Sequence, residues 1–237
     1  MNKDTREHIK RSRMMKYFID AANEIIEKKG IDAVNIRDTA NLAGYSSATL
    51  YNYFDNLTHL VFLATFNQLG EYNKALSACI EKCKNSIEVY MRVCKCFCDF
   101  AYEKPEIYEI LFFSHSNGKF NEYIEQYHKL FPNESHKNLP IFLGRMFKSS
   151  DIHARSFFML ENCIKDGYLD EKLNIDDFND ICLRFNKTIL QDVRGGILSK
   201  EKATELTLKY YYHMFHCCIK KEHIHILDEC YNELIKI

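Results

Sequence analysis

The sequence predicts an all-α protein, and three observations carry that prediction. Only 8 Gly and 3 Pro occur in 237 residues, too few to punctuate a β-sandwich. Apolar residues recur at three-and-four spacing between most turn signals, and no alternating apolar/polar run is long enough to make a strand. With 46% hydrophobic and 27% charged residues the chain is not disordered. Its length supports one large domain or two small ones with a real core, which excludes a miniprotein held by disulfides or metal.

The elements follow in order. Met15, Phe18, Ile19, Ala22, Ile25 and Ile26 form an apolar stripe that predicts a helix over 14–29, closed by Lys28, Lys29 and the left-handed cap Gly30. Ahead of it, Lys3, Arg6, Lys10, Arg11, Arg13 and Lys16 face only Asp4 and Glu7, a basic arm on a chain whose net charge is only −1. Any affinity for a polyanion must therefore be local. Asn35 caps a second helix ending at Gly44, Ser46 caps a third over 47–54, and Asp55 or Asn56 starts a fourth carrying Leu60, Leu63, Phe66 and Leu69. Further along, Asn85 and Glu88 make a capping-box pattern, and Pro105 suits a first helical turn. The segment 132–140 reads as a connection and Asp166-Gly167 as a break. Helices over 176–194 and 199–221 are joined at Gly195-Gly196, and a last helix covers 223–236.

Counting Ile36 as position one, a small residue falls at five (Ala40), Gly at nine (Gly44) and an aliphatic at fifteen (Leu50). This is the spacing of a tight helix-turn-helix. Ala40 permits close approach, Gly44 supplies positive φ, and Leu50 pins the second helix to the first. Such a second helix can enter a DNA major groove by its N-terminal end.

At this point the sequence resembles a known family. Residues 18–63, and especially NIRDTANLAGYSSATLYNYFDNLTHL, resemble the DNA-binding domain of the tetracycline-repressor (TetR) family, with Gly30, Ala43, Gly44, Ser46, Thr49, Leu50, Tyr51, Tyr53 and Phe54 in register. FAYEKPEIYEILFF at 100–113 is similar to a helix junction of many members. The resemblance implies a helix-turn-helix domain at 1–55, a helical effector-binding and dimerisation domain at 56–237 linked through the helix from Asn56, and no enzyme activity. It implies repression at an inverted-repeat operator in double-stranded DNA, released by a small molecule. The chain departs from the family pattern at Tyr45, Ser47, Ala48 and Leu57, and 39–54 carries no charged side chain. DNA contacts are therefore expected from Ser46, Ser47, Ala48, Thr49, Tyr51, Asn52 and Tyr53, with Arg11 and Arg13 on the basic arm.

Most of the 17 Phe and 15 Tyr fall after residue 55. The resemblance implies a cavity there, with Phe97, Tyr102, Tyr108, Phe112, Phe113, Phe157, Phe158 and Tyr212 as expected lining for an apolar or aromatic effector, and His115, His153 or Glu161 as polar holders. A homodimer is expected through 176–194 and 199–221, with Phe185, Ile189, Tyr210 and Met214 near the twofold axis. No phosphate loop, HExxH, GxSxG or kinase signature is present, so no catalytic residue, metal or cofactor is expected. The ten cysteines include no CxxC. Cys79 with Cys83 and Cys94 with Cys98 stack on helix faces as buried thiols, a cysteine-based redox or metal sensor being the alternative. A partner-binding helical protein without operator specificity is the other. With no signal-peptide pattern and no run of apolar residues long enough to span a membrane, the expected location is the cytoplasm, away from membranes.

Overall fold

The computed structural model describes residues 3–66, 69–113, 120–130 and 152–236. All regular elements among them are helical, apart from one isolated antiparallel bridge between Leu169 and Ile219. The helices are α1 (Lys3–Lys29), α2 (Ile36–Leu42), α3 (Ser47–Tyr51), α4 (Leu57–Phe66), α5 (Leu69–Ile80), α6 (Ser86–Ala101), α7 (Pro105–Phe113), α8 (Phe120–Leu130), α9 (Ile152–Lys165), α10 (Ile175–Arg194), α11 (Lys200–Cys218) and α12 (Ile224–Leu234). None is long and apolar enough to cross a membrane. The expected connection at 132–140 lies outside the described residues.

The chain divides into two compact units. The first takes in α1 to α4 and α8, the second the rest, with one division between Leu69 and Gly70. This differs from the division expected at 55/56, for a packing reason. Six successive residues of α4, Leu60 to Thr65, are buried, and the helix lies against both α1 and α8, so it belongs to the N-terminal core.

In the first unit Met15, Phe18, Ile19, Ala22 and Ile25 form the buried stripe of α1. The helix begins at Lys3, so the basic arm is its first half rather than a separate tail. Residues 3–16 hold no Gly or Pro and three Lys, three Arg and two Met, good helix formers that extend a helix nucleated by packing farther along. The Asn35 side chain accepts from Asp38 N at 2.8 Å, and its Nδ2 donates to Asp38 Oδ2 at 2.8 Å. Each such cap is worth about 1 kcal/mol.

In the second unit α6 is central, with Ile87, Tyr90, Met91, Cys94, Cys98 and Ala101 buried. Helices α9, α11 and α12 pack on it, while α10 packs on α7, α9 and α11. Asn85 caps α6 by accepting from Glu88 N at 2.9 Å, and Ser199 caps α11 by accepting from Lys202 N at 3.2 Å. The break at Gly167 is tied to the end of α11: Lys220 N donates to Tyr168 O at 2.9 Å and Asp170 N to Cys218 O at 3.0 Å.

Candidate nucleic-acid interface and ligand cleft

The turn between α2 and α3 has the expected geometry. Gly44 sits at φ +80°, which lets Tyr45 N donate to Ala40 O at 2.8 Å and Gly44 N to Asn41 O at 3.0 Å. Ala40 and Leu50 are fully buried and Phe54 almost so, which locks α3 onto α2. Ser46 opens α3 by accepting from Thr49 N at 3.1 Å, and the two hydroxyls bond each other at 2.9 Å.

Ala48, Tyr51 and Asn52 are exposed, Tyr51 at 56%; Ser47, Thr49 and Tyr53 are half-buried. The expected contact residues thus form a small, uncharged surface at one end of the unit's backbone turn. Ser46 and Thr49 are already engaged in capping. Arg11 also braces this turn, since its Nη1 donates to Asn52 O at 3.2 Å and its guanidinium lies 5.3 Å from the centre of the Tyr53 ring. A cation there neutralises the carbonyl end of α3. Arg13 is exposed, as are Arg6 and Lys10 on the same helix. Sequence reasoning passed over Arg37, exposed on α2, and Tyr45, which is 37% exposed with its ring 5.5 Å from Phe18 and 6.5 Å from Tyr17. Arg37 was legible as the one cation inside α2.

His59 joins this surface to α8. Only 3% exposed, it accepts from Asp55 N at its Nδ1 over 3.1 Å, so its Nε2 carries the proton in the neutral ring and donates to Gln126 Oε1 at 2.9 Å. The Tyr123 ring stacks on it at 3.9 Å and the Phe54 ring meets it edge-on at 5.4 Å. Tyr123 also donates to Asp55 Oδ2 at 3.3 Å. The sequence signal was a histidine at N3 of a helix whose cap is Asn56, which accepts from His59 N at 2.9 Å.

The second unit contains a narrow, partly open cleft of about 50 Å³. Of the eight expected lining residues it brings Phe97 and Phe112 to the wall. Tyr102 instead bonds Thr207 at 2.6 Å, and Tyr212 donates to Asp228 Oδ1 at 2.8 Å while stacking on Tyr231 at 4.4 Å. Tyr108 is buried behind Phe97 and Phe112, with its ring 5.8 and 5.6 Å from theirs. Phe113, Phe157 and Phe158 are half-buried outside the lining. Counting aromatics at helical spacing does not separate walls from core, because both use the same side chains. Sequence reasoning missed Tyr72, Arg155, Asn186 and Tyr211 on the cleft wall. The usable signals were Asn186, a polar residue within the apolar stripe of α10, and Arg155, 6% exposed in α9, with its guanidinium 5.2 Å from the Phe112 ring centre. Of the expected polar holders, His115 lies outside the described residues, Glu161 pairs with Lys165 at 3.2 Å, and the His153 carbonyl accepts from Asn179.

The expected dimer residues separate. Ile189 is 3% exposed in the single chain and so belongs to its own core, whereas Tyr210 is 40% exposed; Phe185 and Met214 are intermediate. The α10 stripe is wider than one interface needs, and its inner half packs at home. Ile181, 54% exposed, is the apolar residue that α10 presents outward.

Burial pushes the thiols of Cys98, Cys163 and Cys230 up to about 12, and Cys94 and Cys182 upward as well. Cys79 differs: a hydrogen bond from Cys96 pulls its thiol down. Among the described residues no group of three or more His, Cys, Asp or Glu is arranged to hold a metal.

Residues 18–63 match the family model described as bacterial regulatory proteins, tetR family. A comparison with curated proteins finds no match. Similar solved structures include RolR in complex with resorcinol (TM-score 0.59, 15% identity, 94% of each chain covered). Another is FadR of Thermus thermophilus, a TetR-family repressor in complex with lauroyl-CoA (0.53, 11%, 82% of this chain and 91% of that one). A third is a TetR-family regulator from Syntrophomonas wolfei (0.53, 15%, 86% and 95%). At these identities the likeness is one of fold.

Proposed function

We propose, from the match of residues 18–63 to the tetR family of bacterial regulatory proteins, that this chain is a ligand-released repressor of that family. It binds an inverted-repeat operator as a homodimer through residues 46–53 of each copy. A small apolar or aromatic effector entering the cleft of the second unit releases it. The observation that carries this reading is the Ala40–Gly44–Leu50 lock, with Ala40 and Leu50 buried about the Gly44 turn, which leaves Ala48 and Tyr51 on α3 and Asn52 at its end exposed. Asn can pair bidentately with adenine and Ala can meet a thymine methyl. RolR and Thermus FadR hold resorcinol and lauroyl-CoA in their complexes, which supports a small-molecule effector for a chain of the same fold.

Release requires the effector to bind better to a conformation unfit for the operator. Helix α8 is the suitable relay. It lies in sequence between α7 and α9 of the second unit, yet it packs with α4. Through His59 it reaches Asp55 and Phe54, directly after the contact residues. The functional domains accordingly follow the two compact units, with α4 and α8 on the DNA side. Regulation through a cysteine is a second reading, favoured by Cys79, which is half-buried where Cys94, Cys96 and Cys98 are buried.

The test is selection of operator sequences from a random duplex pool, followed by gel shift and sedimentation. An inverted repeat bound by two chains supports the reading; a single asymmetric half-site bound by one chain, or no enriched sequence, sinks it. Peroxide that releases the operator from wild type but not from Cys79→Ser favours the cysteine reading instead.

A further inference from the structure

We infer that the cleft of the second unit selects a hydroxylated aromatic ring, whose O–H donates a hydrogen bond to Asn186 Oδ1. The inference rests on the proposed effector role of the cleft and names the chemistry of the ligand. Asn186 is 4% exposed and lines the cleft. Its Nδ2 donates to the Tyr211 hydroxyl at 2.5 Å, while its Oδ1 is buried and has no hydrogen-bond partner among the described residues. An amide oxygen held dry is costly unless something supplies a donor.

The ligand group facing Asn186 must therefore carry hydrogen. A carboxylate, an ether or a ketone offers only lone pairs and adds repulsion to the desolvated oxygen. The walls specify the rest. Tyr72, Phe97, Phe112 and Tyr211 present aromatic rings on α5, α6, α7 and α11; the first three meet one another edge-on as one aromatic wall, against which a ligand ring can stack or meet edge-on. Arg155 completes the lining with its guanidinium over Phe112.

Isothermal titration of the full chain with phenol and 4-methylphenol, against their methyl ethers anisole and 4-methylanisole, tests this directly. The ethers keep the ring and the oxygen but lose the donor. Wild type is expected to bind the phenols at least about tenfold more tightly, and Asn186→Leu to bring each pair within about twofold. The wild-type series decides even if that variant fails to fold. Ethers that bind as tightly as phenols overturn the inference, as do cyclohexanols that bind as tightly as phenols, or phenols that do not bind. Gel shifts with the selected operator separate the two readings. Donor-dependent binding that leaves the operator bound supports the ligand chemistry while sinking the effector role; ethers that release the operator as well as phenols do the reverse.

Discussion

The two units are built by different physics. In the first, the decisive positions are backbone positions: Gly44 at φ +80°, the caps Asn35 and Ser46, and the close approach at Ala40. In the second, the decisive property is how aromatic and sulfur side chains fill volume around α6, and where they stop short of filling it. A backbone requirement admits few residue types at a fixed spacing, so it leaves a motif. Volume filling admits many combinations of Phe, Tyr, Leu, Met and Cys, so it leaves only periodicity. The proposed function divides the same way, with the contact surface in the first unit and the effector cleft in the second.

The largest effect that would break this comparison is in core truncation. Leu50→Ala removes the fully buried pin of α3 and is expected to cost about 2–5 kcal/mol in urea unfolding. Phe97→Leu, on the cleft wall, is expected to cost under about 1.5 kcal/mol, because the wall has room to adjust. Equal costs would mean that the second unit is as tightly specified as the first.

Next in size is the contact surface itself. Asn52→Ala is expected to weaken operator binding by about 1–3 kcal/mol while leaving thermal unfolding unchanged, since the side chain is exposed. Unaltered affinity in fluorescence anisotropy would remove Asn52 from the interface.

A pair of glycines sharpens the backbone side of the contrast. Around Gly44 nothing lies within 4 Å of an added Cβ, so Gly44→Ala costs only its left-handed conformation, about 1–2 kcal/mol. Gly195 has φ −77° and an added Cβ would lie 3.3 Å from Gln191 O. There the ordinary backbone and the tight contact oppose each other, and Gly195→Ala is expected to fall within about 0.5 kcal/mol of wild type. Calorimetry of both variants reads the difference.

The smallest effect is electrostatic. With no charge in 39–54, the slope of log affinity against log salt should be shallow, and Arg13→Gln should reduce it by about 1. Arg11→Gln should in addition lower stability by about 0.3–1 kcal/mol, because that guanidinium closes the carbonyl end of α3. Identical behaviour of the two variants would mean that Arg11 contributes nothing to holding the turn.

The sequence by itself determined the helical class, the capped turn from Asn35 to Phe54, the resemblance carried by 18–63, and the helix pair joined at Gly195-Gly196. Each rests on interactions between residues near in sequence, where a cap or a positive φ has few chemical solutions. Tertiary structure alone decided that residues 3–16 continue α1, that α4 and α8 join the first unit through His59, Tyr123 and Gln126, and that Ile189 turns inward while Ile181 turns outward. It alone gathered Tyr72, Arg155, Asn186 and Tyr211 from four helices around one cleft. Such groupings depend on how helices far apart in the chain meet, and an amphipathic stripe states that a face is buried without stating against what.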